Sequence, residues 1–193
     1  MNVEIYDNFL TPSYFSFLKN GIESTNQPWF FTNKRVDISG NVENSIHNYG
    51  YSFWIFKENY YCNEDISKFL IGLLYQIQDI SKTSNPIRSR LDMTTSSNVR
   101  YMFDPHIDLF VKNKTAIFYF TDSDGETVIF DRKIKDNLEM LMSINDVKNG
   151  LLIPKKTILP KENRLVVFDG DYLHSNYLPV KYKQRILLNC NFV

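Results

Sequence analysis

Alanine is almost absent from this chain. Ala116 is the only one in 193 residues, while asparagine, isoleucine, lysine, tyrosine and phenylalanine are plentiful. That bias suits an AT-rich coding sequence and points to a low-GC bacterium or a phage as the source, with nothing about chemistry following from it. Cysteine is scarce too: Cys62 and Cys190 stand far apart, and they read as free thiols in a reducing compartment rather than as a disulfide. Charge of either sign is not in excess, with 22 basic and 22 acidic residues. A neutral balance argues against nucleic acid or an anionic membrane as the main partner, although a local basic patch stays open. No apolar run approaches the ~18 residues of a membrane helix. The opening Met-Asn-Val-Glu-Ile-Tyr-Asp has neither the positive nor the apolar region of a secretory leader. A cytoplasmic location is therefore expected, in the host cytoplasm if a phage encodes the chain. What is present is enough apolar material for one domain with a full core, 43% hydrophobic and 15% aromatic.

Thr11-Pro12 predicts a helix start, with Thr11 as N-cap and Pro12 in the first turn. Phe15, Leu18 and Ile22 then recur at helical spacing, with Gly21 near the end. Residues 29–61 are aromatic and asparagine-rich without a clear period, and read as irregular strands and loops. Asn63 is a candidate N-cap, followed by Glu64 and Asp65 in a positive first turn. Ile66, Phe69, Leu70, Leu73, Leu74, Ile77 and Ile80 form an apolar stripe that predicts a helix over 64–81, packed on the outside of a sheet. From Ile87 onward the pattern changes to short strands divided by turn residues. Candidates are 87–93, 98–103, 106–111, 115–121, 126–131, 151–153, 164–168, 172–175 and 184–192, with turns at Asp122-Ser-Asp-Gly125 and Asp169-Gly170. The expected fold is mainly β, a jelly roll buttressed by N-terminal helices. The organisation read from the sequence is a single domain over 1–193. It has a mixed helical support region over 1–86, a jelly-roll core over 87–193, and a lysine-rich insertion near 133–161.

The chain has three histidines, and two of them fall in one pattern. His106 and Asp108 lie two apart in Asp-Pro-His-Ile-Asp, so on a strand they share a face while Ile107 takes the other. His174 follows an apolar strand and a turn, and Arg185 comes eleven residues later at the start of the last strand. Two histidines and a carboxylate form the facial triad of non-haem Fe(II) and leave coordination positions open. An arginine inside an apolar strand is costly to bury unless it meets a carboxylate, and a dicarboxylate ligand would supply one. Arg185, Leu187, Asn189 and Asn191 share one face of that strand, and two inward asparagines fit a wet site better than a dry core.

The order His-X-Asp, distal His, then Arg resembles the Fe(II)- and 2-oxoglutarate-dependent dioxygenases, in particular the prolyl 4-hydroxylase-like branch of phages and bacteria. Four phrases carry the likeness: Pro-His-Ile-Asp, the run from Thr115 to Phe130, the run from Asn163 to His174, and the run from Gln184 to Phe192. It covers about 100–193 well and the N-terminal half in outline. The resemblance implies a double-stranded β-helix and makes His106, Asp108 and His174 the iron ligands. It gives Arg185 the distal carboxylate of 2-oxoglutarate and brings the Tyr119 hydroxyl to the same carboxylate. It implies Fe(II), 2-oxoglutarate and dioxygen as cofactors, with ascorbate as a candidate reductant. The implied reaction is hydroxylation of an unactivated C–H bond, on a peptide or protein prolyl residue. A free amino acid or other small molecule is the alternative substrate.

Asn189 and Asn191 are expected to contact substrate or to support the ligands. Arg88, Arg90, Asp92 and Thr94 alternate on the strand beside the cosubstrate. Some are expected to meet substrate or the C1 carboxylate end, and most to lie on a solvated face. His47 is expected in a loop, Asp104 in support of a turn, and Asp169 and Asp171 as turn carboxylates. Ser175 has no visible base and acid partners that would make it a nucleophile. Nucleobase demethylation is disfavoured, because Asn191 stands where base-repairing relatives carry a second arginine. The rivals are a non-catalytic cupin- or lectin-like binding module, and a zinc hydrolase that would leave Arg185 unexplained.

Overall fold

The computed structural model describes residues 1–24, 28–33, 47–57, 60–62 and 64–193. Its strands are β1 (Val3–Tyr6), β2 (Phe30–Asn33), β3 (Tyr49–Lys57), β4 (Tyr60–Tyr61), β5 (Pro86–Thr95), β6 (Lys114–Tyr119), β7 (Thr127–Lys133), β8 (Lys156–Ile158), β9 (Arg164–Asp169), β10 (Tyr172–Asn176) and β11 (Gln184–Phe192). Its helices are α1 (Pro12–Ile22), α2 (Glu64–Ser81) and α3 (Asn137–Lys148). Eight strands form one antiparallel sheet in the order β1-β9-β6-β11-β5-β3-β2, with β4 on β3, and β10-β7-β8 form a second. The two sheets face each other as a jelly roll.

Period-two alternation sorts the core into three layers. On β11, Ile186, Leu188, Cys190 and Phe192 face the helices and pack with Ala116 and Phe118 of β6 and with Leu165 and Val167 of β9. Phe15, Leu18 and Ile22 of α1 and Leu70, Leu73, Leu74 and Ile77 of α2 cover that face. Two glycines let the helices meet: a Cβ on Gly21 would enter the Phe69 ring, and one on Gly72 would lie 2.5 Å from the Tyr14 hydroxyl. The opposite parity of the large sheet, Ile117, Tyr119, Val166, Phe168 and Leu187, meets Ile129, Ile158 and Tyr172 between the sheets. A third cluster, with Val128, Phe130 and Leu173, lies beneath α3 on the outer face of the small sheet.

The helix predicted over 64–81 is α2, and Phe15, Leu18 and Ile22 are the buried residues of α1. Thr11 takes the N-cap position of α1 with Pro12 inside, but its side chain makes no cap bond. Asn63 lies outside the described residues, as do residues 34–46, 58 and 59 of the segment read as irregular. The rest of that segment is more regular than expected, since β3 runs nine residues beside β5.

Two expected strands are not formed. Over 98–103 only Met102 makes an isolated bridge, to Tyr177, and over 106–111 only His106 does, to His174. Pro105 offers no N–H to a ladder, and past Ile107 the chain turns Asp108 toward the large sheet. The stretch read as a lysine-rich insertion, 133–161, holds α3 and β8. Asp136 caps α3 by accepting from the Glu139 N–H at 2.8 Å, while Glu139 accepts from the Lys135 N–H at 2.9 Å. Met140 and Ile144 are buried. The strand expected at 151–153 lies instead at 156–158 as β8. No helix among the described residues is long and apolar enough to cross a membrane.

Candidate metal centre and cosubstrate pocket

His106 and His174 come together because their backbones pair across the mouth of the small sheet. The His106 N–H donates to the His174 carbonyl at 2.8 Å, and the reverse bond is 2.9 Å. Their ring centroids are 4.9 Å apart. Each imidazole turns Nδ1 to a backbone carbonyl two residues earlier, His106 to Asp104 at 3.0 Å and His174 to Tyr172 at 2.9 Å. A neutral ring donates from Nδ1 there, which leaves the Nε2 lone pair to the cavity. Both Nε2 atoms look toward Asp108: His106 is 4.0 Å from Oδ1 and His174 is 3.8 Å from Oδ2. The three ligand atoms lie within 4.8 Å of one another. Two imidazole nitrogens and a carboxylate at that spacing fit a first-row divalent metal with open positions.

The carboxylate is fixed from behind. Asn189 and Asn191 donate to Asp108 Oδ2 at 3.2 and 3.3 Å. The Asn191 amide also reaches Asn113 at 3.1 Å and Thr115 at 3.0 Å. Arg88 binds Asp108 Oδ1 at 3.0 Å through Nη2. Burial opposes ionisation of Asp108, but Arg88, His174, His106 and Arg90 outweigh it and hold the carboxyl well below its usual range. His106 moves the other way for a base: burial, then the neighbouring His174, lower it to about 4. The set is therefore an ionised carboxylate between two imidazoles, His106 neutral at physiological pH, which is the protonation a cation requires of its ligands.

A cavity of about 240 Å³ opens at this cluster and runs to Arg185. Arg185 is 3% exposed, and its Nη2 donates to Thr127 Oγ1 at 2.8 Å. Tyr119, fully buried, shares that hydroxyl at 2.7 Å, and the guanidinium carbon stands 5.5 Å from its ring centroid. Burial pulls the Arg185 guanidinium below its usual value, against the opposing pull of Tyr119 and Asp92. Its Nε has no partner among the described residues. A buried cation set against the Thr127 and Tyr119 hydroxyls and an aromatic face could receive an anion. Gly125 makes room for it, since a Cβ there would lie 3.2 Å from Arg185 Cδ and 2.7 Å from the Tyr177 carbonyl.

Each singled-out residue can be placed. His106, Asp108, His174, Arg185 and Asn189 line one cavity, with Asn191 behind Asp108 and Tyr119 beneath Arg185. Arg88, Arg90 and Asp92 also line it and are not on a solvated face; Asp92 and Thr94 are 2% and 1% exposed. The charged alternation on β5 looks solvated in the sequence, yet it is paired across the strands. Asn189 and Asn191 of β11 stand opposite Arg90 and Arg88. The Arg90 Nε binds Asp92 Oδ1 at 2.8 Å. His47 lies apart from the cavity lining, 3.2 Å from Ser97 and against Tyr101. Asp104 pairs with Lys148, Asp169 with Lys114 and Asp171 with Lys133, all outside the cavity lining. The Ser175 hydroxyl is spent on the Phe103 carbonyl at 2.6 Å. Thr127 was not legible as a partner of Arg185: its inward parity with Ile129 is the only signal, and threonine in a strand needs no functional explanation.

No family model and no curated protein matches this chain. Solved structures do. An oxidoreductase of the 2OG-Fe(II) oxygenase family from Burkholderia pseudomallei is 11% identical with a TM-score of 0.65, over 98% of this chain and 84% of that one. A prolyl-4-hydroxylase from Pseudomonas putida is 14% identical with a TM-score of 0.56, over 98% and 91%. The viral collagen prolyl hydroxylase of Paramecium Bursaria Chlorella virus-1 is 15% identical with a TM-score of 0.53, over 100% and 97%. The likeness extends through the N-terminal half, which the sequence motifs reached only in outline. Across its length, the chain has the jelly-roll fold of the 2OG-Fe(II) oxygenases.

Proposed function

We propose that this protein is an Fe(II)- and 2-oxoglutarate-dependent dioxygenase that hydroxylates an unactivated C–H bond. The observation that carries the reading is the pairing, in one cavity, of a His-Asp-His cluster with a buried arginine that lacks a carboxylate partner among the described residues. A bare metal site would not explain the arginine, and a bare anion pocket would not explain the cluster. In this reading His106, Asp108 and His174 hold iron through Nε2, a carboxylate oxygen and Nε2. Arg185 receives the distal carboxylate of 2-oxoglutarate, with Thr127 and Tyr119 fixing the guanidinium from the side. Asn189 and Asn191 keep Asp108 aimed, so that the ligand set is preorganised before metal arrives. When bound, iron and 2-oxoglutarate supply the oxidising chemistry, in which dioxygen is consumed, 2-oxoglutarate becomes succinate and carbon dioxide, and substrate gains a hydroxyl. The chain supplies the walls: Ile117 and Leu187 line the inner end, and Ile129 and Phe168 pack behind it, where they limit bulk water.

For the substrate, a prolyl residue of a peptide or protein is the first reading, supported by the likeness to the two prolyl hydroxylases. A small molecule is the second, favoured by the charged side chains in the cavity lining, Arg88 and Arg90. The test is substrate-uncoupled turnover in air, read as succinate formed from 2-oxoglutarate with Fe(II) and ascorbate added. The wild-type chain is expected to form succinate and His174→Ala to form none above the metal-only background. Equal rates in the two proteins would remove His174 from the site and sink the assignment.

A further inference from the structure

We infer that the substrate of this site carries an anionic group, a carboxylate, that docks on Arg88 beside the metal. The inference rests on the 2-oxoglutarate reading and follows from the charge pairing of the cavity. Among the described residues, three arginines and two acids line it: Arg88, Arg90 and Arg185 against Asp92 and Asp108. Arg90 is neutralised within its own strand, its Nε on Asp92 Oδ1 at 2.8 Å and its Nη2 on Oδ2 at 3.0 Å. Arg185 is neutralised by the distal carboxylate of the cosubstrate. A divalent metal is neutralised by Asp108 and the other carboxylate. Arg88 is then the odd cation. Its partner in the structure, Asp108 at 3.0 Å, is the carboxylate that the metal shares. A guanidinium whose side chain is only 15% exposed does not stay uncompensated without cost, and a carboxylate from the substrate is the compensation the cavity lacks.

Arg88 is built to receive one. Its guanidinium carbon stands 5.6 Å from the Trp54 ring centroid, and Arg90 stacks on the same indole at 5.1 Å. The aromatic face fixes the planar fork, whose Nη1 and Nη2 both reach Asp108, the carbonyl at 3.4 Å and Oδ1 at 3.0 Å. An incoming carboxylate would take up the donors that Asp108 gives over when it turns to the metal. Trp54 and Arg90 are cross-strand partners, as are Lys57 and Arg88, so the indole and these cations lie together on the cavity side of β3 and β5. Anchoring an anion on Arg88 would hold the substrate within a few bonds of Asp108, hence of the metal, and would select acids over their neutral amides.

The carboxylate can belong to a small acid or to a peptide, and binding separates the two. Under argon, the Fe(II)- and 2-oxoglutarate-loaded protein is titrated by calorimetry with benzoate and with benzamide. It is then titrated with acetyl-Ala-Pro-Asp-amide and with its Asn counterpart. At least one acid is expected to bind with 1:1 stoichiometry and tenfold or more tighter than its amide. The benzoate pair succeeding alone assigns a small acid, and the peptide pair alone assigns a peptide-borne carboxylate. Arg88→Gln is expected to erase the acid preference and Arg88→Lys to restore part of it. If Arg88 only positions Asp108, Arg88→Gln will weaken the metal and leave the acid-to-amide ratio unchanged, which overturns the inference. So does wild-type protein that binds neither acid, or binds acids and amides alike. Should the loaded protein show no 2-oxoglutarate charge-transfer band beforehand, the cosubstrate reading fails first and takes this inference with it; a band without acid preference sinks the inference alone.

Discussion

Arg185 is where a single residue decides most. Its cation is buried against Thr127 and Tyr119 with no described carboxylate in ion-pair contact, so under the proposed function Arg185→Gln removes the cosubstrate's counter-charge while filling similar space. Truncating one partner of a buried charge pair costs about 2–5 kcal/mol. The 2-oxoglutarate concentration for half-maximal turnover is therefore expected to rise roughly 100-fold, each ~1.4 kcal/mol being a factor of ten. Steady-state succinate formation against 2-oxoglutarate checks this, and an unchanged requirement would remove Arg185 from the pocket. His106 gives a pH dependence with a definite sign. Its folded-state value is lowered from 6.5 to about 4, so the unfolded chain takes up the proton first as pH falls. The stability from the neutral ring is complete above about 6.5 and is lost between there and about 4. Asp108, lowered from 3.8, adds a loss of the same sign in more acid solution. Urea denaturation of chelator-treated protein at pH 7.5, 6 and 5 is expected to show falling midpoints, with a shallower fall in His106→Gln. Midpoints that rise toward pH 5 would contradict the assigned environment.

Among the elements, α2 and β11 were legible because their periods are unambiguous, 3.6 for the stripe from Ile66 to Ile77 and two for the run from Arg185 to Phe192. The inward face of β11 was legible even through Asn189 and Asn191, since one charged residue of fixed parity sets the facing of all the others. What stayed hidden follows from physics that parity cannot carry. The 106–111 stretch alternates like a strand, yet after Pro105 it gives His106 one bridge and then leaves the sheet to deliver Asp108 to Arg88 and Asn189. The inward face of β5 was masked because charged residues at every second position read as solvated until their cross-strand partners are known. α3 was hidden by exposed Leu138, Leu141 and Met142, which blur the stripe, although Asp136 and Glu139 signal its start. α3 caps the outer face of the small sheet through Met140 and Ile144. Ile144→Ala is expected to lower stability by about 2–4 kcal/mol, the usual cost of a large-to-small core change. A chemical denaturation curve reads it, and a loss under about 0.5 kcal/mol, the range of surface substitutions, would mean that α3 is not docked as described.

On the scale of the whole molecule, the two sheets divide the labour. The large sheet is covered outside by α1 and α2 and sends Arg185, Leu187, Asn189 and Asn191 inward. The small sheet brings Thr127 and His174, and His106 bridges to it at the open edge. The His-Asp-His cluster and Arg185 thus line one cavity between layers, brought together from residues distant in the sequence. The two-sheet fold around that cavity is what the similar solved structures share with this chain, at identities of 7–15%. It makes the central claim testable in one titration: Fe(II)-loaded protein under argon, 2-oxoglutarate added stepwise, the visible charge-transfer band of a chelated keto acid recorded. A saturable band that is absent in His106→Ala is the expected result. Iron demonstrably bound with no band at saturating 2-oxoglutarate would contradict the claim and leave the fold as that of a different metalloenzyme.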